Sequence, residues 1–313
     1  MAKIVGIGNS LVDILVQIES DSTLAELGLP KGSMNHVSES RLSEIRSRLL
    51  SLSCVRASGG SAANTMKALA GLGTESAFVG KIAGDEPGRF YESDLKVRGV
   101  EPRFVHTQEG NSGIAATFIS PDGQRTFATY LGVSGTLCAA DVAEGALRGA
   151  DYLYMEGYLV QNHALVLHTL ALAKQLGLTV CLDLASYNIV EADRDFFHQM
   201  LADYVDIVFA NSEEATAFTG LKPTDAVSEL ARLCSIAVVK LGADGACAES
   251  NGESCRVPAL SVPKVVDTTG AGDCFAAGFL HALTKKEDLR ECLDEGTRIA
   301  AQIIQVIGAT LPK

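Results

Sequence analysis

Short runs of β-branched and other apolar residues alternate with amphipathic stretches of helical length along most of this chain. That order predicts an α/β fold with a largely parallel sheet, because each helix must cross back over the sheet. Candidate buried strands are Ile4–Ile7, Ser76–Gly80, Tyr152–Met155, Thr179–Leu182, Ile207–Phe209 and Ile236–Val239. Helical patterns lie between them. Ala164–Gln175 is one, with Leu165, Leu167, Leu170 and Leu172 apolar and Gly177 placed to stop it. Hydrophobic residues make up 47% of the 313, ample for a core, and 30 Gly with 8 Pro exclude a disordered, collagen-like or low-complexity chain. The length suits one large α/β unit or two domains.

Two segments break the alternation. Leu11–Val37 carries a strand-like Ile14–Ile18 and then polar residues. Asn111–Tyr130 reads as a hairpin, with Ala115–Ile119 and Arg125–Tyr130 joined by Pro121-Asp122-Gly123. Together they predict a small, discontinuous, β-rich piece covering the edge of the α/β domain. Asn251-Gly252 signals a second hairpin, joining Ala246–Ser250 to Ser254–Val257 and extending the main sheet. No internal repeat at solenoid spacing occurs.

Charge narrows the partners. With 26 Lys and Arg against 38 Asp and Glu, the formal net charge is −12. Such a surface repels phosphate backbones and anionic headgroups, which argues against nucleic acid and membranes. Small anionic ligands, held by local dipoles, stay open. None of the 8 cysteines forms a CxxC pair, so no zinc knuckle or dithiol redox site is indicated. No signal-peptide h-region follows Lys3, and no apolar run approaches the roughly 18 residues of a membrane span. A reducing cytoplasm is the expected setting.

The strongest local signal is Asp267-Thr268-Thr269-Gly270-Ala271-Gly272-Asp273, preceded by a strand-like Lys264–Val266 and followed by a helical run from Cys274 to about Lys286. Gly270 and Gly272 let the backbone approach a ligand closely, and the free N–H groups of a first helical turn make an anion site. Asp273 sits among those donors, placed to take a proton from an attacking hydroxyl. The plain alternative is that Asp273 is only a helix cap. The second signal is Ser58-Gly59-Gly60-Ser61-Ala62-Ala63-Asn64, whose glycines expose N–H groups and whose Asn64 amide both donates and accepts, as a polyhydroxylated ligand requires. Asn9 and Asp13 bracket the end of the first strand. Asp183, Asn211, Glu214 and the turn Lys240–Gly245 follow later strands, and residues past the carboxyl ends of parallel strands line the ligand crevice.

Competing motifs fail. Gly6-Ile7-Gly8 lacks the third glycine of a dinucleotide fingerprint, since position 11 is Leu, and Gly80-Lys81 has Glu75 where a P-loop needs glycine. There is no HExxH and no GxSxG, and His163 and His168 lack metal spacing.

With both glycine motifs in hand, the chain resembles the ribokinase-like (PfkB) sugar and nucleoside kinases over nearly its whole length. It looks most like their adenosine-kinase branch, through Gly8–Ile14, Tyr204–Asn211 and Ala300–Thr310. The resemblance implies a three-layer αβα core of residues 1–10, 38–110 and 131–313, with a β-rich lid of 11–37 and 111–130. It implies ATP as donor, Mg2+, a monovalent cation such as K+, and a nucleoside or sugar as acceptor, in a monomer or homodimer. Asp273 would be the general base, and Gly270, Ala271 and Gly272 the anion hole. Asn9, Asp13, Gly59, Gly60 and Asn64 would hold the sugar or ribose, with Tyr158 stacking on a purine. Asn211 and Glu214 would organise magnesium through its waters. Lys240, Gly242, Gly245 and Gln302 would flank the adenine of ATP, Asp267 and Thr269 the monovalent cation, and Arg125 would neutralise phosphates when the lid closes. Lys240 stands where many members carry a small hydroxyl residue, and Met34 where animal-type adenosine kinases have glutamine. A catalytically silent ligand-binding member of the fold and a nicotinamide-dependent dehydrogenase are the alternatives.

Overall fold

A computed structural model describes residues 2–49 and 54–311. Met1, 50–53 and 312–313, which the sequence reading assigns to the core, lie outside the described residues. The strands in chain order are β1 Lys3–Ile7, β2 Leu11–Gln17, β3 Met34–His36, β4 Cys54–Gly59, β5 Glu75–Ala83, β6 Val100–Thr107 and β7 Gly113–Ile119. They continue as β8 Arg125–Tyr130, β9 Tyr152–Glu156, β10 Thr179–Asp183, β11 Ile207–Asn211, β12 Ile236–Lys240, β13 Ala246–Ser250 and β14 Glu253–Val257.

Nine of these strands form one sheet in the order β14-β13-β12-β11-β10-β9-β1-β5-β6. It is parallel from β12 to β6, and the β13–β14 hairpin adds its antiparallel edge. Both faces are apolar, as a parallel sheet covered by helices demands. On one face, Ile4, Phe78, Tyr154 and Phe209 pack with Met66 and Phe279 of the helices Ser61–Gly71 and Ala271–Thr284. On the other, Val5, Val79, Leu153 and Val208 pack with Leu165, Leu170 and Phe197 of His163–Gln175 and Arg194–Asp203. Each fully buried side chain of this size contributes roughly 1.5–3 kcal/mol, so apolar faces rather than surface ion pairs hold the three layers together. Among the described residues no helix is long and apolar enough to cross a membrane.

The remaining five strands form a separate sheet, β3-β8-β7-β2-β4, so the hairpin read from Pro121-Asp122-Gly123 lies in it as β7 and β8. One boundary needs correction. The sequence reading gives 38–110 to the core, yet β4 pairs antiparallel with β2 from Leu11↔Gly59 to Val16↔Cys54, and the helix Glu39–Leu49 packs on β8. The small layer therefore extends to Gly59. β4 is an edge strand with Val55 62% exposed, so it carries no apolar run for a pattern search to find. β6 escapes for the same reason, since Glu101, Pro102 and Arg103 are tolerated at a sheet edge. Lys264–Val266 is not a strand. It is irregular, anchored where the N–H groups of Val266 and Asp267 donate to the Ile304 carbonyl.

The chain builds outward from β1 through β5 to β6 on one side and through β9 to β12 on the other. The carboxyl ends of β1 and β9 therefore mark the topological switch point, where an open α/β sheet leaves a crevice.

Candidate active site

A cleft of about 1000 Å³ opens over those strand ends, roofed by the small sheet. Asn9, Glu156, Asp183, Asn211 and Lys240, each at or just past the end of a parallel strand, all line it.

At its centre lies the start of the Ala271–Thr284 helix. Gly270, with φ 71°, is the N-cap, and a Cβ there would run into Ala309. Asp273 is the third helical residue and caps nothing. Its Oδ1 accepts from Ser61 Oγ (2.7 Å) and its Oδ2 from Asn64 Nδ2 (2.9 Å). Burial pushes its carboxyl up to about 6, against the opposing pull of those two donors. The Ala271 N–H is taken by the Thr268 carbonyl at 3.1 Å, while those of Gly272 and Asp273 have no partner among the described residues. Two free donors, the positive end of the helix dipole and a poorly solvated carboxylate thus face one spot. That arrangement can hold a transferring anion beside a proton acceptor.

The wall toward the small sheet holds the other carboxylates. Glu156 is 1% exposed and ties two loops together. Its Oε1 accepts from the Asn9 N–H (2.8 Å) and Asn9 Nδ2 (2.9 Å), and its Oε2 from the Ala62 N–H (2.9 Å). Burial raises its carboxyl to about 7 despite these donors. Gly60, with φ 93°, lies so close to the Asn9 carbonyl that any side chain would collide with it. Gly59 has the Asp13 carboxylate directly over it. Asp13 lines the cleft and accepts no hydrogen bond from the described residues; burial raises its carboxyl to about 6, with Lys67 and Arg125 opposing. The Tyr158 ring lines the same wall, its hydroxyl donating to the Ala185 carbonyl at 3.3 Å.

The opposite wall is built on β10 to β12. Asn211 and Glu214 form a reciprocal cap. Asn211 Oδ1 accepts from the Glu214 N–H (2.8 Å), and the Glu214 carboxylate accepts from the Asn211 N–H and Nδ2, both at 2.7 Å. Burial raises Glu214 to about 7, with Lys240 opposing. Lys240 Nζ donates to Asp183 Oδ2 at 2.8 Å and would lie 3.2 Å from a Cβ at Gly272. Burial alone would favour its neutral amine, but Asp183, Glu214 and Asp273 outweigh it and keep the ammonium charged. Gly242 and Gly245 both have positive φ, and at Gly245 a Cβ would meet the Val257 carbonyl. No group of three or more His, Cys, Asp or Glu that could hold a metal occurs among the described residues. Magnesium keeps most of its waters and borrows phosphate oxygens, so one carboxylate and one amide at Glu214 and Asn211 fit a hydrated ion arriving with a nucleotide.

The profile of the family described as pfkB family carbohydrate kinase matches residues 43–313. The chain belongs to that family. It is a phosphotransferase acting on an alcohol group, and the family uses ATP as the donor. An uncharacterized sugar kinase of Archaeoglobus fulgidus is 30% identical over 245 residues, covering 77% of this chain and 96% of that protein. The ribokinase of Staphylococcus aureus is 27% identical over 262 residues, 80% of this chain and 83% of its own. The crystal structure of adenosine kinase from Sinorhizobium meliloti superposes with a TM-score of 0.90 at 34% identity, covering 99% of this chain and 95% of that one. The dehydrogenase and silent-binder alternatives find no support.

Within this kinase scaffold several expected residues stand elsewhere. Gln302 is exposed and does not line the cleft; Thr297, Ala300, Ala301 and Ile304 form the cleft-facing stripe of that helix, and position 302 falls off it. Asn9 lines the cleft, but its N–H and amide NH2 are spent on Glu156. Thr269 lines the cleft, whereas Asp267 is buried behind it. Asp267 Oδ1 accepts from the Thr269 N–H (3.0 Å), and Oδ2 accepts from Arg125 Nη2 and from the Gly308 N–H (2.6 Å). The Arg125 guanidinium balances that carboxylate here. Arg125 thus touches Asp267, with Nε and Nη1 buried and unpartnered. Sequence reasoning missed Glu156 altogether, although an acid closing an apolar strand at Tyr152-Leu153-Tyr154-Met155 is the signal that flagged Asp183. Ser61 stood inside the second glycine motif with no role of its own read from it, and Lys67 carried no signal.

Proposed function

We propose that this protein transfers the γ-phosphoryl group of ATP to the primary hydroxyl of a ribonucleoside resembling adenosine. One observation carries the chemistry: Asp273, held by Ser61 and Asn64, faces the cleft beside two unpartnered N–H groups at a helix start. Asp273 takes the proton as the hydroxyl oxygen bonds to the γ-phosphorus, the bond to the β,γ-bridging oxygen breaks, and ADP leaves. The Gly270–Gly272 turn and Lys240 offset the charge on the transferring group. Magnesium, entering with ATP, would be held through water by Glu214 and Asn211 and would screen the phosphates. Arg125 would exchange Asp267 for phosphate oxygens. The nucleotide base lies along Gly242, Gly245 and Ala301. Asp13, Gly60 and Asn64 take the ribose hydroxyls; Gly59, expected among them, is buried beneath Asp13 with its carbonyl taken by the Tyr91 hydroxyl.

Leu11, Phe127, Leu137, Tyr158 and Leu159 line the acceptor end. That apolar, partly aromatic lining supports a flat base over a free sugar, which would leave it bare to water. The test is an ADP-release screen with ATP and magnesium over ribonucleosides, ribose and hexoses. Adenosine-like ribonucleosides are expected to give the highest kcat/KM. A free sugar outperforming them overturns the acceptor, and no ADP release from any alcohol overturns the reading.

A further inference from the structure

Lys67 is a buried charge with no part in this scheme. Lys67, in the helix Ser61–Gly71, is 6% exposed. An ammonium taken from water is costly unless something on the protein repays it. Its Nζ donates to the carbonyl of Ser58, the residue before Gly59, over which the Asp13 carboxylate lies. Ser58 is gripped from its other side as well: its N–H (3.1 Å) and Oγ (2.6 Å) both donate to Asp94 Oδ2, and Asp94 accepts from Arg98 Nε at 3.1 Å. β4 pairs Ser58 with Val12 and Ala57 with Asp13, so the ammonium is anchored one residue along the ladder from Asp13. The strand end that carries the glycine pair is thus clamped, with a positive charge set behind it on the core side.

We propose that Lys67 is a positioning residue for the acceptor alcohol, its ammonium keeping the Asp13 carboxylate ionised in the closed cleft while its hydrogen bond holds the Ser58–Gly60 turn beneath it. The proposal rests on the acceptor-binding role given to Asp13 above. A hydroxyl donates much more strongly to a carboxylate than to a neutral carboxyl group, and burial works against the ionised form. The charged groups facing Asp13 are Lys67 from the helix, Arg125 from β8 and Asp273 from the Ala271–Thr284 helix. Those facing Lys67 are Asp13, Asp94 and Arg98, with the Cys274 thiol. Arg125 also bonds Asp267 and sits on the small sheet, which leaves Lys67 as the core's own countercharge to Asp13.

The experiment follows the Asp13 carboxyl itself. Aspartate-selective 13C labelling, with Asp13→Asn to identify the resonance, gives its titration midpoint without any substrate. The parent is expected at about 6. Lys67→Met and Lys67→Gln are both expected to move it up by about one pH unit or more, the usual effect of losing a nearby opposite charge. Lys67→Gln still donates to Ser58 and so separates lost charge from a lost tether. With adenosine as the probe acceptor, KM in both variants should rise steeply toward neutral pH and return to the parent value at alkaline pH, with kcat little changed. An unmoved midpoint overturns the proposal. So does a parent-like Lys67→Gln beside a shifted Lys67→Met, or a moved midpoint with an unchanged KM profile. Should the parent phosphorylate no alcohol, the kinase reading falls alone, and the titration still decides for or against Lys67.

Discussion

The two walls of the cleft are built differently. The acceptor wall is dense with partly desolvated charge: Asp13, Glu156 and Asp273 all have carboxyls raised above the ordinary range by burial, and Gly59 and Gly60 leave no room for a side chain. The nucleotide wall also buries charge at its base, in Asp183, Glu214 and Lys240, but its rim is open and apolar, where Leu260 and Val265 are 51% and 53% exposed. A desolvated wall makes each carboxylate a strong, selective hydrogen-bond acceptor and a better base, because water no longer competes. An exposed apolar rim needs only to cover a flat base. Selectivity and chemistry therefore belong to the first wall, and a generic ATP grip to the second.

The contrast can be broken most sharply at Asp273. Asp273→Asn keeps the size and one accepting oxygen but cannot take a proton, so kcat should fall on the order of 10²–10⁴ with ATP affinity nearly unchanged and the chain still folded in a thermal melt. Activity within about threefold of the parent would make Asp273 structural.

The next effect is in pH. Burial raises Asp13 and Asp273 to about 6, and each works best ionised, one to hold the alcohol strongly and one to deprotonate it. With ATP saturating, kcat/KM for the acceptor should be flat above that range and fall as pH drops through it, approaching second order in protons. Asp13→Asn should lower kcat/KM about ten- to hundredfold and leave a first-order fall. A first-order fall in the parent would mean that one of the two carboxylates is not used.

The smallest change is expected on the nucleotide wall. Leu260→Ser removes a half-exposed side chain, so KM for ATP should rise by less than about fivefold, with the acceptor KM untouched. A larger rise, or an altered acceptor KM, would erase the distinction between the walls.

What the chain specifies locally could be read from it. Paired glycines and the Pro121-Asp122-Gly123 turn depend on backbone conformations set within a few residues, and the alternation of runs predicts a largely parallel sheet. Partnerships across the fold could not be read. Ser61 and Asn64 hold Asp273 from 212 and 209 residues away, and Glu156 reaches Asn9 across 147. Arg125 settles on Asp267, and Gln302 turns to solvent although its neighbours line the cleft. The raised carboxyls belong to this second class, because desolvation is imposed by whatever packs around a group and no short stretch of sequence carries it. Sequence thus determined which turns could meet a phosphate, while tertiary packing decided which carboxylates would be dry enough to use there.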